Sequence, residues 1–133
     1  MSKVGDVMTK PVRTITPSST MAEAARVMRM NRIGCLVVVD GDNLVGIVTE
    51  RDIAYKIVAE EKGLSTTVEE AMTKDLKTTD GEKNLKDAAK LMASHLIRRL
   101  PVVEGGSLVG IITIEDIMRA EKIDEDLQAY SYT

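Results

Sequence analysis

An ungapped internal repeat constrains this chain more than any other feature. Met8-Thr9-Lys10 recurs as Met72-Thr73-Lys74, 64 positions on, and the same offset carries Ala24-Ala25 onto Ala88-Ala89 and Met28 onto Met92. It also carries Leu44-Val45-Gly46-Ile47 onto Leu108-Val109-Gly110-Ile111, and Thr49, Asp52 and Ile53 onto Thr113, Asp116 and Ile117. A register shared across most of each copy marks duplication of one structural unit. Two copies are too few for a solenoid, whose units need stacked neighbours, so a closed pseudo-twofold pair is expected.

Each copy reads alike. Val4 to Met8 opens the first as a short helical turn or coil, and an extended stretch from Val12 to Thr16 ends at Pro17. Thr20 with Glu23, and Asn84 with Asp87, have the spacing of helix N-caps. Met21, Ala24, Ala25, Val27 and Met28 follow at helical spacing, as do Leu85, Ala88, Ala89, Leu91 and Met92. Leu36–Val39 and Leu44–Val48 flank Asp40-Gly41-Asp42-Asn43, and Leu100–Val103 and Leu108–Ile112 flank Glu104-Gly105-Gly106-Ser107, so each copy contains a hairpin. A second helix is expected after Thr49 and after Thr113. The fold class is therefore α/β (α+β), two β-α-β-β-α repeats, with strands apolar enough to be covered on both faces. The boundaries are 1–62 for the first copy, 63–67 for a linker with Gly63 suited to a helix C-cap, and 68–120 for the second copy. Residues 121–133 form either a short helix, from the spacing of Ile123, Leu127 and Tyr130, or a tail.

Composition narrows the function. The chain has three tyrosines, no Phe and no Trp, so its core is aliphatic and a ring-shaped ligand would be gripped by aliphatic side chains and backbone. A net charge of -3 argues against binding nucleic acid by phosphate neutralisation. The single cysteine, Cys35, has no internal disulfide partner, and no apolar run approaches the length that spans a bilayer, so a cytoplasmic protein is expected. One His and one Cys supply neither a zinc site nor a nucleophile–base set, so no metal and no catalytic residue is expected. Gly41-x4-Gly46 and Gly105-x4-Gly110 fail as P-loops, because Ile47 and Ile111 stand where the lysine belongs.

The run Leu36-Val37-Val38-Val39-Asp40-Gly41 followed by Leu44-Val45-Gly46-Ile47-Val48-Thr49-Glu50-Arg51-Asp52-Ile53 resembles the CBS domain, named after cystathionine beta-synthase. Its ending recurs as Gly110-Ile111-Ile112-Thr113-Ile114-Glu115-Asp116, so residues 4–60 and 68–120 together resemble a CBS pair, or Bateman module. The resemblance implies a cleft between the copies that takes up to two adenosyl ligands (AMP, ADP, ATP or S-adenosylmethionine) as regulatory ligands, with no cofactor required. It implies that Asp52 and Asp116 hold ribose hydroxyls, that Thr49 and Thr113 lie near phosphate, and that Thr14-Ile15 and Thr78-Thr79 present backbone to adenine.

An ionised carboxylate suits a ribose because it accepts from both vicinal hydroxyls. Thr-x-x-Asp before a helix is equally a capping pattern, and both roles stand. In related pairs, basic residues before the fourth strand meet phosphate. The matching stretch here is Arg98-Arg99-Leu100-Pro101, which reads either as ligand contacts or as a solvated turn. The first copy has Gly34-Cys35 at those positions, where Gly34 allows a close approach, so the two sites are expected to be unequal. The functional expectation is a regulatory adenosyl sensor acting on itself or on an effector protein. The alternative is a ligand-free association module. Homodimers through the helical faces around Ala24, Met28, Ala88 and Met92 fit either reading.

Overall fold

Two β-hairpins with matching irregularities organise the structure, a computed structural model that describes the backbone of residues 2–131 and the side chains of residues 2–122. In chain order the elements are α1 (Val4–Val7), β1 (Thr14–Ile15), α2 (Met21–Asn31), β2 (Cys35–Asp40), β3 (Asn43–Thr49) and α3 (Glu50–Asp52). A π-helical segment, Ile53–Val58, continues from α3. Then come α4 (Val68–Ala71), α5 (Leu85–His95), β4 (Arg99–Glu104), β5 (Ser107–Thr113) and α6 (Ile114–Ser131). The fold is mixed α+β, as the repeat predicts.

Within each hairpin the antiparallel register slips once, between Val38 and Val39 and between Val102 and Val103, so both copies carry a bulge at the same place. The turns differ. Gly41 alone has a positive φ (+61°) in the first, which fits a II′ turn, whereas Gly105 and Gly106 (+56° and +81°) fit a I′ turn. Leu36, Val37 and Val38 are buried in succession, as are Leu100, Pro101 and Val102, so both strand faces are covered. β1 adds to β2 in parallel, with Thr14 opposite Val37. In the second copy this strand shrinks to one parallel bridge, Thr79 to Val102.

The compact units cut across the repeats. One comprises Val12–Leu76; the other comprises Met1–Pro11 with Lys77–Thr133. The repeated Met-Thr-Lys segments show how. Thr73 exchanges backbone hydrogen bonds with Ile47 (2.9 and 3.1 Å), and Thr9 does so with Ile111 (2.8 and 3.1 Å). The segment that opens the chain thus completes the second hairpin, and the segment that opens the second copy completes the first. Gly46 and Gly110 make this possible, because a Cβ on either would run into the Met72 or Met8 side chain. The core of the Val12–Leu76 unit accordingly gathers Met21, Ala24, Met28, Leu36 and Val38 with Val68, Ala71 and Met72. The other core gathers Val4 with Leu85, Ala88, Met92, Leu100 and Ile112.

Helix ends follow the expected caps, with one correction. Thr20 Oγ1 accepts from the Glu23 N–H (3.1 Å), and Asn84 Oδ1 accepts from the Asp87 N–H (2.8 Å). Thr67 caps α4 in the same way, accepting from the Glu70 N–H. Three helices end in Schellman caps built on non-glycine residues, Arg32, Glu61 and Leu96, each at φ +54°. In each, the following N–H reaches back five residues, as Ile33 does to the Met28 carbonyl, Lys62 to Ile57 and Ile97 to Met92. The left-handed cap near the linker is therefore Glu61 and not Gly63. The C-terminal segment also differs from a separate short helix: α6 runs unbroken from Ile114 to Ser131. The side chains of Ile123, Leu127 and Tyr130 lie outside the described residues.

Candidate functional site

The hairpins bring most of the sequence-selected residues to equivalent strand ends. Cys35 pairs with Thr49 where β2 begins and β3 ends, and Arg99 pairs with Thr113 where β4 begins and β5 ends. The chain then turns into a helix, so Asp52 and Asp116 lie one turn beyond their threonines. Both form reciprocal capping boxes. The Asp52 carboxylate accepts from the Thr49 N–H at 2.8 Å and from its hydroxyl at 3.3 Å, while Thr49 Oγ1 accepts from the Asp52 N–H at 3.3 Å. Asp116 Oδ2 accepts from the Thr113 N–H at 3.0 Å, and Thr113 Oγ1 accepts from the Asp116 N–H at 3.1 Å. The capping role is thus realised in both copies, worth about 1 kcal/mol each.

Beyond the caps the carboxylates differ. Both are nearly buried, with 9% of the Asp52 side chain and 5% of that of Asp116 exposed. Asp52 Oδ1 is paired with the Lys56 ammonium at 3.0 Å, and the same ammonium donates to the Ala71 carbonyl at 2.8 Å. Among the described residues Asp116 has only long contacts beyond its cap: Oδ1 to Arg119 at 3.4 Å, and the Thr9 hydroxyl shared between Oδ1 at 3.5 Å and Oδ2 at 3.4 Å. Sequence reasoning missed these three neighbours. The Asp52–Lys56 and Asp116–Arg119 spacings are ordinary helical i,i+4 and i,i+3 pairings and could have been noted. Thr9 carried a fainter signal, its place in the duplicated Met-Thr-Lys.

The remaining residues fall as follows. Thr14 is exposed, whereas the Ile15 side chain belongs to the core, which leaves that residue only its backbone for a ligand. Thr78 is exposed; Thr79 is buried, donates its N–H to the Pro101 carbonyl (3.0 Å) and accepts from the Val103 N–H (2.9 Å). Gly34 does permit a close approach, and the group that comes close is the Glu50 carboxylate. Cys35 is half-buried. Arg51 lies over the Tyr55 ring, 5.8 Å from its centroid.

Arg98 is exposed and ion-paired with Glu115 at 2.9 Å, and this hydrogen bond holds the Glu115 carboxyl below its ordinary range. Arg99 is half-buried at the start of β4, and Pro101 is fully buried. Ala24, Met28, Ala88 and Met92 are buried in the two cores and so do not form an outward helical face. Exposed apolar side chains on helical segments are instead Met30, Tyr55, Val58 and Met118.

Among the described residues, no group of three or more His, Cys, Asp or Glu is placed to hold a metal, and no helix is long and apolar enough to cross a membrane.

Comparison with known proteins agrees with this architecture. The family model of the CBS domain matches twice, at residues 4–59 and 68–123. The CBS domain-containing protein YhcV of Bacillus subtilis is 41% identical over 117 residues, covering 88% of this chain and 84% of the relative. Among solved structures, a protein with CBS domains from Burkholderia ambifaria superposes with a TM-score of 0.87 at 36% identity, covering 92% of this chain and 96% of that one. The CBS domain pair of protein MJ0100, solved in complex with 5′-methylthioadenosine and S-adenosyl-L-methionine, superposes with a TM-score of 0.86 at 33% identity, covering 93% and 98%.

Proposed function

Because the chain belongs to the CBS-domain family and carries two CBS domains in tandem, we propose that it is a regulatory sensor of an adenosyl ligand, AMP, ADP, ATP or S-adenosylmethionine, received at the Thr113–Asp116 turn. The observation that carries this reading is the state of Asp116. Its carboxylate is nearly buried and oriented by the Thr113 N–H, and its other contacts among the described residues, to Arg119 and the Thr9 hydroxyl, are long at 3.4–3.5 Å. Such an acceptor is preorganised for the vicinal hydroxyls of a ribose, and two charge-assisted bonds there are shorter and stronger than those they replace. The ligands in the MJ0100 complex share the adenosyl group, which supports the class and leaves the substituent on C5′ open.

The protein has no catalytic centre of its own in this reading and acts in the cytoplasm. The ligand stabilises whichever conformational state binds it better, and an effector protein or a second copy reads that state. The test is thermal melting with each of the four ligands, repeated for Asp116→Asn. A rise in melting temperature with at least one ligand, lost in the variant, is expected. No rise with any of the four refutes the reading.

A second reading, a ligand-free association module, is favoured by one observation: Met30, Tyr55, Val58 and Met118 expose apolar surface on helical segments. It predicts a stable homodimer whose dissociation constant is unmoved by any adenosyl compound and weakened by Tyr55→Lys.

A further inference from the structure

Duplication gave the two copies the same Thr-x-x-Asp turn, and the residues around each carboxylate have since diverged. A ribose diol needs two acceptor positions. A carboxylate offers about four, and at Asp52 most are taken: Oδ2 by the Thr49 N–H and hydroxyl, Oδ1 by the Lys56 ammonium. The ammonium is itself anchored, because it also donates to the Ala71 carbonyl at 2.8 Å. A ligand arriving at Asp52 would have to displace the ammonium from Oδ1 and leave a buried carboxylate without its counter-charge.

Among the described residues the second copy has no such anchor. The repeat register puts Ala120 where Lys56 stands and Arg119 where Tyr55 stands. Arg119 contacts Asp116 at a long 3.4 Å from a side chain 68% exposed, so it can withdraw into water and stay solvated. The helices differ too: the segment carrying Lys56 is π-helical, with the Ala59 N–H bonded to the Ala54 carbonyl, whereas α6 carries Asp116 and Arg119 in regular α-helix. π-Helical segments are rare and recur at functional positions.

We infer that Lys56 is a built-in occupant of the first ribose position, so that the chain takes one adenosyl ligand, at Asp116, and Lys56 sets that stoichiometry. The inference rests on Asp116 being the ribose acceptor, and its test separates the two claims. Isothermal titration of the full chain with AMP reads the number of sites directly, a quantity that a structural role for Lys56 leaves unchanged. One site per chain is expected for the wild type. Lys56→Met should raise this to two, and Lys56→Arg should keep it at one. Asp116→Asn should weaken wild-type binding at least tenfold, and Lys56→Met/Asp116→Asn should retain one site, at Asp52.

Two sites in the wild type overturn the occupant and leave the proposed function standing. So does one site in a folded Lys56→Met protein, or loss of AMP binding in that variant with Asp116 intact, which makes the amine a ligand contact. Absence of binding in every variant, with AMP, ADP, ATP and S-adenosylmethionine alike, refutes the function and the occupant with it. If Lys56→Met does not fold by circular dichroism, Lys56→Ala removes both the charge and the hydrogen-bond donor and carries the same expectation.

Discussion

Gly46→Ala tests how the Met-Thr segment closes the first hairpin. A Cβ at position 46 would lie 2.5 Å from Met72 Sδ, 2.9 Å from Met72 Cγ and 3.0 Å from the Thr73 carbonyl oxygen. The thioether can swing away, since methionine has three rotatable bonds. The carbonyl cannot, because Thr73 is tied to Ile47 by two backbone hydrogen bonds. Overpacking of this kind costs about 1–3 kcal/mol, and removing a glycine from the unfolded chain returns roughly 0.5–1 kcal/mol. The expected net loss is about 1–2 kcal/mol, read as a lowered midpoint in urea unfolding followed by far-ultraviolet circular dichroism. In a Met72→Ala background the thioether's share of the clash is gone and that of the Thr73 carbonyl remains, so the same substitution should cost less. Contacting residues commonly couple by about 0.5–3 kcal/mol. A cost that is equal in both backgrounds, or absent from both, refutes the claim that Gly46 is small to admit Met72.

Other consequences follow from the caps, the ion pair and the unit boundaries. Leu96 is 91% exposed in a left-handed cap at φ +54°, where a Cβ costs about 1–2 kcal/mol; Leu96→Gly should stabilise by about 0.5–1 kcal/mol in urea unfolding, and destabilisation would contradict the cap. The Glu115 carboxyl is held down by Arg98, so the pair stabilises above the unfolded carboxylate pKa of about 4.3 and its contribution fades as pH falls through the lower folded value. Because both side chains are more than half exposed, Arg98→Gln should cost no more than about 0.5 kcal/mol at pH 7, and a stability gap that persists at pH 2 would be inconsistent with this origin. A fragment of residues 12–76 should show more helix and a more cooperative urea transition than one of residues 1–62, which lacks Val68, Ala71 and Met72 from its core; the reverse order would refute the exchange of opening segments.

Much of this molecule was legible in its sequence, for local reasons. Hairpins, caps and the turn from strand to helix are set by neighbouring residues, so Gly41, Thr20, Asn84 and the Thr-x-x-Asp boxes announced them. The exchange of the Met-Thr-Lys segments was not legible, because Met8 and Met72 stand at equivalent positions of the two copies and the repeat alone cannot say which hairpin each completes. The sequence points to Gly63 as the cap because a glycine is the ordinary signal, whereas the Lys62 N–H bond to Ile57 places the cap at Glu61 regardless of residue type. In the candidate site, Asp52 and Asp116 were legible as acceptors in their capping boxes, and their partners were less so. Lys56 and Arg119 lie at helical spacings common to any solvated face, and Thr9 lies 107 residues from the carboxylate it contacts. Arg98 and Gly34 illustrate a further limit: the sequence marked both positions as distinctive, while the groups that engage them, Glu115 and Glu50, depend on how the helix start folds back on the strand.

The claim that Asp116 and its turn receive the ligand is tested most directly by amide chemical shifts. In a ¹⁵N-labelled full chain titrated with AMP, the Thr113 and Asp116 N–H resonances report on the two bonds that close this capping box. Saturable shifts are expected at both, larger than those at Thr49 and Asp52, with loss of the response in Asp116→Asn. Shifts confined to other residues, or none at AMP concentrations that saturate any binding seen by calorimetry, would contradict it.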